Sequence, residues 1–210
     1  PELSAVALAT DDERIENAAR QLNVPVIMTR SDHPSGTDRV LEAAVKMDIT
    51  DNSVVVNIQG DEPAMHPVMI SQLIRPLKNP ATCVSTLARK IDYRTAENPD
   101  QVQVVLNQNK DAIYFSRSII PYPRDDSAEN FLGHIGIYAF RLNILKRFVS
   151  LPVGAVEAVE KLEQLRLIEN GIPIHVVETT LTSIGVDRPE DIAKVSNIID
   201  INTLPEAKRS

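Results

Sequence analysis

Residues 54–63, VVVNIQGDEP, decide how this chain folds. Val54, Val55, Val56 and Ile58 are β-branched, and Gly60 ends the run. So short an apolar stretch, bounded by glycine, reads as a buried strand with Asn57 as its one polar exception. Asp61 and Glu62 follow at once, and Pro63 closes the turn. A buried strand that runs straight into carboxylates fits an α/β fold, where ligands gather beyond the carboxyl ends of the strands.

Further strand-like runs lie at residues 5–9, 24–28, 83–88, 102–106, 135–140 and 174–178. Helical patterns alternate with several of them. Asp11 or Asp12 can cap ERIENAARQLN, where Ile15, Ala18, Ala19 and Leu22 share a face. Thr37 can cap DRVLEAAVKMD. AVEAVEKLEQLRLIENG carries Val156, Val159, Leu162, Leu165 and Ile168 at helical spacing, with Gly171 as a left-handed stop. This alternation predicts an α/β fold with a largely parallel sheet, mixed in the turn-rich stretch 81–140. The polar tail after residue 200 reads as frayed.

Composition narrows the function. The 210 residues are 43% hydrophobic, enough for one substantial core. A net charge of −7 argues against a nucleic-acid surface and for a soluble, cytoplasmic protein. Nucleotides stay open as ligands, because a metal ion reconciles phosphates with carboxylates. The single cysteine, Cys83, lies in an apolar run and reads as a buried, inert thiol, so no disulfide framework is expected. No apolar stretch reaches the roughly 18 residues of a membrane span.

GVDRPED, residues 185–191, resembles NIQGDEP in placing an aspartate after a glycine with proline close behind. Asp61 and Asp187 brought together would form an oxygen-ligand site of the kind Mg2+ takes. A helix cap is an equal reading for each, and one carboxylate can do both. The loop TRSDHPSGTDR, residues 29–39, could lie against a base or phosphate, although a plain structural loop is the better reading. Neither it nor ATDDER is a glycine-rich phosphate turn. His134 and Tyr138 stand four apart and face the same way if their segment is a strand. A lone histidine in such a run is more often a core residue than a ligand. No spacing supports a zinc site or a serine-nucleophile elbow.

Taken together, ATDDERI, TRSDHPSGTDR, NIQGDEP, YFSRSIIPYPR, HIGIYAFR, LEQLR and GVDRPEDI resemble, in this order, the 3-deoxy-manno-octulosonate (Kdo) cytidylyltransferases. The resemblance runs from about residue 8 to 192. It implies a Rossmann-like nucleotidyltransferase fold in one domain, 1–210, with residues 110–140 in a sugar-binding and dimerisation lobe. It implies transfer of a cytidylyl group from CTP to Kdo for lipopolysaccharide assembly, in a cytoplasmic homodimer without nucleic-acid or membrane partners. By motif, Asp61 and Asp187 would be the catalytic magnesium ligands. Gln59, His134, Tyr138, Glu163 and Gln164 would contact the sugar acid, with Arg117 or Arg124 facing its carboxylate. Ser35, Gly36 and Thr37 would lie near the nucleotide. The family also has a strand and basic loop ahead of the position where this sequence opens. The expectation is that the natural protein is longer and that these residues alone are inactive. Two other readings stay in view: another cytidylyltransferase or glycosyltransferase on this fold, such as a CMP-sialic acid synthetase, and a non-catalytic paralogue.

Overall fold

The structure, a computed structural model, describes residues 2–60, 62–124, 131–182, 186, 192–193 and 195–196. Asp61, Asp187 and most of the helix expected after Asp187 lie outside the described residues.

The chain opens with β1 (Leu8–Thr10), α1 (Glu13–Gln21), β2 (Val26–Met28) and α2 (Gly36–Lys46). β1 and β2 pair in parallel. Asp12 caps α1, accepting from the Arg14 amide at 2.7 Å. Only Ala19 of α1 is buried; Ile15 and Leu22, on the expected apolar face, are 47% and 75% exposed. Ser35, not Thr37, caps α2, because its Oγ reaches the amides of Thr37 and Asp38. Thr37 is thereby left inside the first turn with its hydroxyl free for another task.

Next come β3 (Val54–Asn57), α3 (Pro67–Ile74), β4 (Val84–Ile91), α4 (Tyr93–Ala96), β5 (Gln103–Leu106), β6 (Ala112–Ser116) and β7 (Phe131–Arg141). The remainder is α5 (Leu142–Ser150), α6 (Ala155–Glu160), α7 (Leu165–Glu169) and β8 (His175–Glu178). His66 caps α3 through its Nδ1, with Pro67 in the first turn. Cys83 is half-buried just ahead of β4, less enclosed than its apolar neighbours suggest.

The larger sheet has the order β6-β5-β7-β4-β8, with β3 also paired to β7. β3, β4, β5 and β8 run in one sense, as an α/β fold requires. Yet most ladders are antiparallel, because the long β7 lies among these strands and runs against β3, β4 and β5. The central sheet flanked by helices is thus present, and its mixed character reaches the middle instead of staying at one end.

β7 is covered on both faces, which explains its near-continuous apolar run. Ile135, Ile137 and Ala139 pack with Met69, Leu73 and Leu77 from the α3 side. Tyr138 and Phe140 point the other way, into a larger cluster with Leu145 and Phe148 of α5 and Leu165 and Leu167 of α7. The helix expected across residues 155–171 is broken. Lys161 adopts a left-handed conformation, φ 56°, and ends α6. Residues 162–164 form a turn before α7 begins, and Gly171, φ 67°, supplies the expected stop.

Candidate active site

The site assembles where α2 begins, β3 ends and the α6–α7 turn passes. Ser35 donates to Asp38 Oδ2 at 2.7 Å while accepting from the helix amides, which fixes the start of α2. Gly36 lies against Gln59: a Cβ there would sit 3.3 Å from Gln59 Oε1. That close approach is what glycine permits at this position. Thr37, freed from capping, donates its hydroxyl to Glu163 Oε1 in the α6–α7 turn. Loop 29–39 is therefore tied to Gln59 on one side and to Glu163 on the other.

The loop itself is anchored from behind. His33 Nε2 meets Glu42 Oε2, and the Arg30 amide donates to the same oxygen at 3.2 Å. Lys46 sits 2.7 Å from Glu42 Oε1. Hydrogen bonding to Lys46 first, then to His33 and the Arg30 amide, holds the Glu42 carboxyl at about 2 against an opposing effect of burial. Arg39 donates to Thr29 Oγ1 and the Arg30 carbonyl and pairs with Asp11.

The floor is a row across three strands. Asn57 on β3 stands opposite Tyr138 on β7, which stands opposite Thr86 on β4. Residues directly opposite in a ladder share a face, so these side chains line up. His134 lies on the same face, its ring centroid 5.5 Å from that of Tyr138 and 4.9 Å from that of Phe115. Burial alone drives the His134 imidazole down to about 3, so it is neutral at ordinary pH. Burial, reinforced by the Glu163 charge, pushes the Tyr138 hydroxyl well above its ordinary range, so it stays protonated. Asn57 is 2% exposed and Tyr138 6%, yet Asn57 Nδ2 and the Tyr138 hydroxyl have no hydrogen-bond partner among the described residues. Buried polar groups left unpaired are costly, and they mark where a ligand completes the network.

Glu163 and Gln164 owe their position to the helix break. Arg166 grips Glu157 on α6, with Nε 2.7 Å from Oε2 and Nη2 2.5 Å from Oε1, and lies 5.1 Å over the Phe148 ring. Gln164 is buried beside Glu163. The structure thus brings together Ser35, Gly36, Thr37, Gln59, His134, Tyr138 and Glu163, with Gln164 adjacent. It does not join Arg117 to them: that side chain donates to the Pro99 carbonyl at 3.3 Å, and its amide to Glu160. Among the described residues no group of three or more His, Cys, Asp or Glu side chains gathers. The expected magnesium ligands, Asp61 and Asp187, lie outside the described residues. Asn57 and Thr86 escaped the reading of the sequence. Asn57 had a signal, as the polar interruption of an apolar strand; Thr86 had none, since threonine is an ordinary strand residue.

Fold and site together define a nucleotide-dependent transferase with a floor of buried polar side chains. The family described as Cytidylyltransferase matches residues 1–180, and the chain belongs to it. Within it, the chain is 55% identical over 204 residues to the 3-deoxy-manno-octulosonate cytidylyltransferase of Oleidesulfovibrio alaskensis, covering 96% of this chain and 82% of that protein. The enzyme of the same name from Lawsonia intracellularis is 53% identical over 93% of this chain and 77% of its own length. A solved structure of CMP:2-keto-3-deoxy-manno-octonic acid synthetase complexed with CTP superposes with a TM-score of 0.88. It is 41% identical and covers 94% of this chain and 81% of its own. No helix among the described residues is long and apolar enough to cross a membrane.

Proposed function

We propose that this protein transfers a cytidylyl group from CTP to Kdo, forming CMP-Kdo and pyrophosphate for lipopolysaccharide synthesis. The observation that carries this reading is its likeness, at 41% identity over nearly the whole chain, to a synthetase of this kind solved with CTP. The anomeric hydroxyl of Kdo attacks the α-phosphorus of CTP; its oxygen–phosphorus bond forms as the bond to the β-phosphate oxygen breaks, and pyrophosphate leaves. Such a reaction asks for alignment and charge neutralisation more than covalent help.

The chain's own groups divide that work. Ser35, Gly36 and Thr37 at the start of α2 hold the nucleotide. Gln59, Tyr138, Glu163 and Gln164 receive the sugar acid, with His134 in the floor beneath it. Arg117, on leaving the Pro99 carbonyl that it holds in the free protein, or Arg124 supplies a guanidinium for its carboxylate. Asp61 and Asp187 would hold Mg2+, whose chemistry there is to offset phosphate charge. In Asp61→Asn of the full-length protein we expect turnover to fall by orders of magnitude with the thermal midpoint little changed; near-normal turnover removes Asp61 from the metal site. The protein works in the cytoplasm as a homodimer, with the run at residues 118–122, where Tyr122 is 83% exposed, in the interface.

Pyrophosphate release by the full-length natural protein, measured with CTP and either Kdo or N-acetylneuraminate, tests the reading. Turnover with Kdo is expected. Turnover with neuraminate alone would assign a different sugar acid, and none with either would favour a non-catalytic role.

A further inference from the structure

Three groups converge on the Thr86 hydroxyl. Its Oγ1 lies 2.8 Å from the Ile137 carbonyl oxygen, 3.2 Å from that of Ile135 and 2.9 Å from His134 Nε2. A hydroxyl has one proton to give, and carbonyls only accept. Were that proton given to the imidazole, both carbonyl oxygens would face bare lone pairs at contact distance. The proton therefore goes to Ile137, and His134 Nε2 supplies its own N–H to Thr86. The other ring nitrogen, Nδ1, has no partner among the described residues.

The surroundings decide the charge of the ring. Thr86 is fully buried, Phe115 of β6 meets the ring edge-on, and Tyr138 of β7 flanks it. Ala88 of β4 stands opposite, and Gln101 approaches only the backbone carbonyl. The one titratable neighbour in this set is Tyr138, which is neutral, and burial is the only influence that moves the imidazole. A neutral ring with its proton on Nε2 carries a lone pair on Nδ1.

We propose that Thr86 is a positioning residue that fixes His134 as the Nε2–H tautomer, so that Nδ1 accepts a hydrogen bond from a hydroxyl of the sugar acid. The row then reads as a pattern of roles: Asn57 and Tyr138 donate to substrate oxygens, and His134 receives from a substrate hydroxyl. It follows that the imidazole is not the counter-charge of the substrate carboxylate, a role that falls to a guanidinium. The substrate half of this inference rests on the Kdo reading above; the tautomer does not.

Long-range proton–nitrogen correlation on protein labelled with nitrogen-15 histidine tests it directly. The chain has four histidines, and the His134 signals are those missing from His134→Gln. We expect a neutral Nε2–H pattern unchanged between about pH 5 and 8, with the Nδ1 resonance moving when Kdo is added. Thr86→Val should mix the tautomers and raise KM for Kdo about tenfold with KM for CTP unchanged, and Thr86→Ser should restore both. An imidazolium, an Nδ1–H tautomer, or a Thr86→Val protein with wild-type tautomer and Kdo KM overturns the proposal. If the tautomer is as stated but Kdo is neither bound nor turned over, the substrate reading fails and the assignment of Thr86 stands.

Discussion

The two faces of β7 are built from alternate residues of one strand, yet they follow different rules. Toward α3, Ile135, Ile137 and Ala139 meet Met69, Leu73 and Leu77, and the one hydroxyl there, that of Ser85, is spent on the Leu73 carbonyl at 2.5 Å. Toward α5–α7, Tyr138 stands between Asn57 and Thr86, with His134 further along and polar atoms left unpaired. One face lowers its free energy by packing apolar side chains and pairing the Ser85 hydroxyl. The other accepts a penalty in the free protein that a substrate would remove. A site of this kind is a core left incomplete in a specific place.

Changes on either face should separate these rules, and the largest effect belongs to the ion pair that supports the polar side. Arg166→Met strands the Glu157 carboxylate inside the α6–α7 junction. We expect a loss of about 3–5 kcal/mol in denaturant unfolding, accompanied by weaker Kdo binding as the 162–164 turn loosens. On the dry face, Leu73→Ala should cost about 2–5 kcal/mol by leaving a cavity. Turnover per folded molecule should stay close to wild type; a selective fall in kcat would mean the faces are not independent.

Acid distinguishes them next. His134 is neutral in the native state down to about pH 3, while an unfolded histidine takes up a proton near its ordinary 6.5. Below pH 6.5 the unfolded chain thus binds a proton that the native state refuses, and stability declines toward pH 3 by up to about 1.4 kcal/mol per unit. Urea midpoints of wild type and His134→Gln, compared between pH 7 and 5, should show the shallower decline in the variant. Equal slopes would remove His134 from the account. The smallest expected change in stability comes from Tyr138→Phe, which deletes a buried hydroxyl without a partner: the thermal midpoint should hold or rise by the equivalent of about 1 kcal/mol or less. KM for Kdo should increase. A clear drop in stability would show that the hydroxyl is already satisfied in the free protein.

How much of this was legible in sequence depended on whether the signal was local. The strand 54–57 announced itself through β-branching and its glycine stop, and the part of β7 at 135–140 through its apolar run, while its start at Phe131 went unread. Helix caps were harder. Ser35 and Thr37 are both hydroxyl residues two apart, and only the folded backbone decides which reaches the amides. The break at Lys161 was invisible, because Val156, Val159, Leu162 and Leu165 keep helical spacing straight through it. α5 was hidden for another reason: it starts directly where β7 ends, without a side-chain cap at Arg141. The motif residues were recognisable as types, but the bond from Thr37 to Glu163 spans 126 positions, and no local pattern encodes it.

The register of β7 carries a further consequence. Tyr138 faces Thr86 and Ile135 faces Leu87, so β7 holds two residues, Gly136 and Ile137, that have no counterpart on β4. Because the surplus is even, parity is conserved: His134 and Tyr138 emerge on the same side although the ladder has slipped between them. An odd surplus would invert everything upstream. Evolution could shorten this stretch by both residues and keep the imidazole in the pocket, whereas loss of Gly136 alone would turn His134 toward the hydrophobic layer beneath α3 and bring Ile135 up in its place. The length of the irregularity is therefore constrained modulo two, a counting rule imposed by chemistry on the permitted insertions and deletions of this strand.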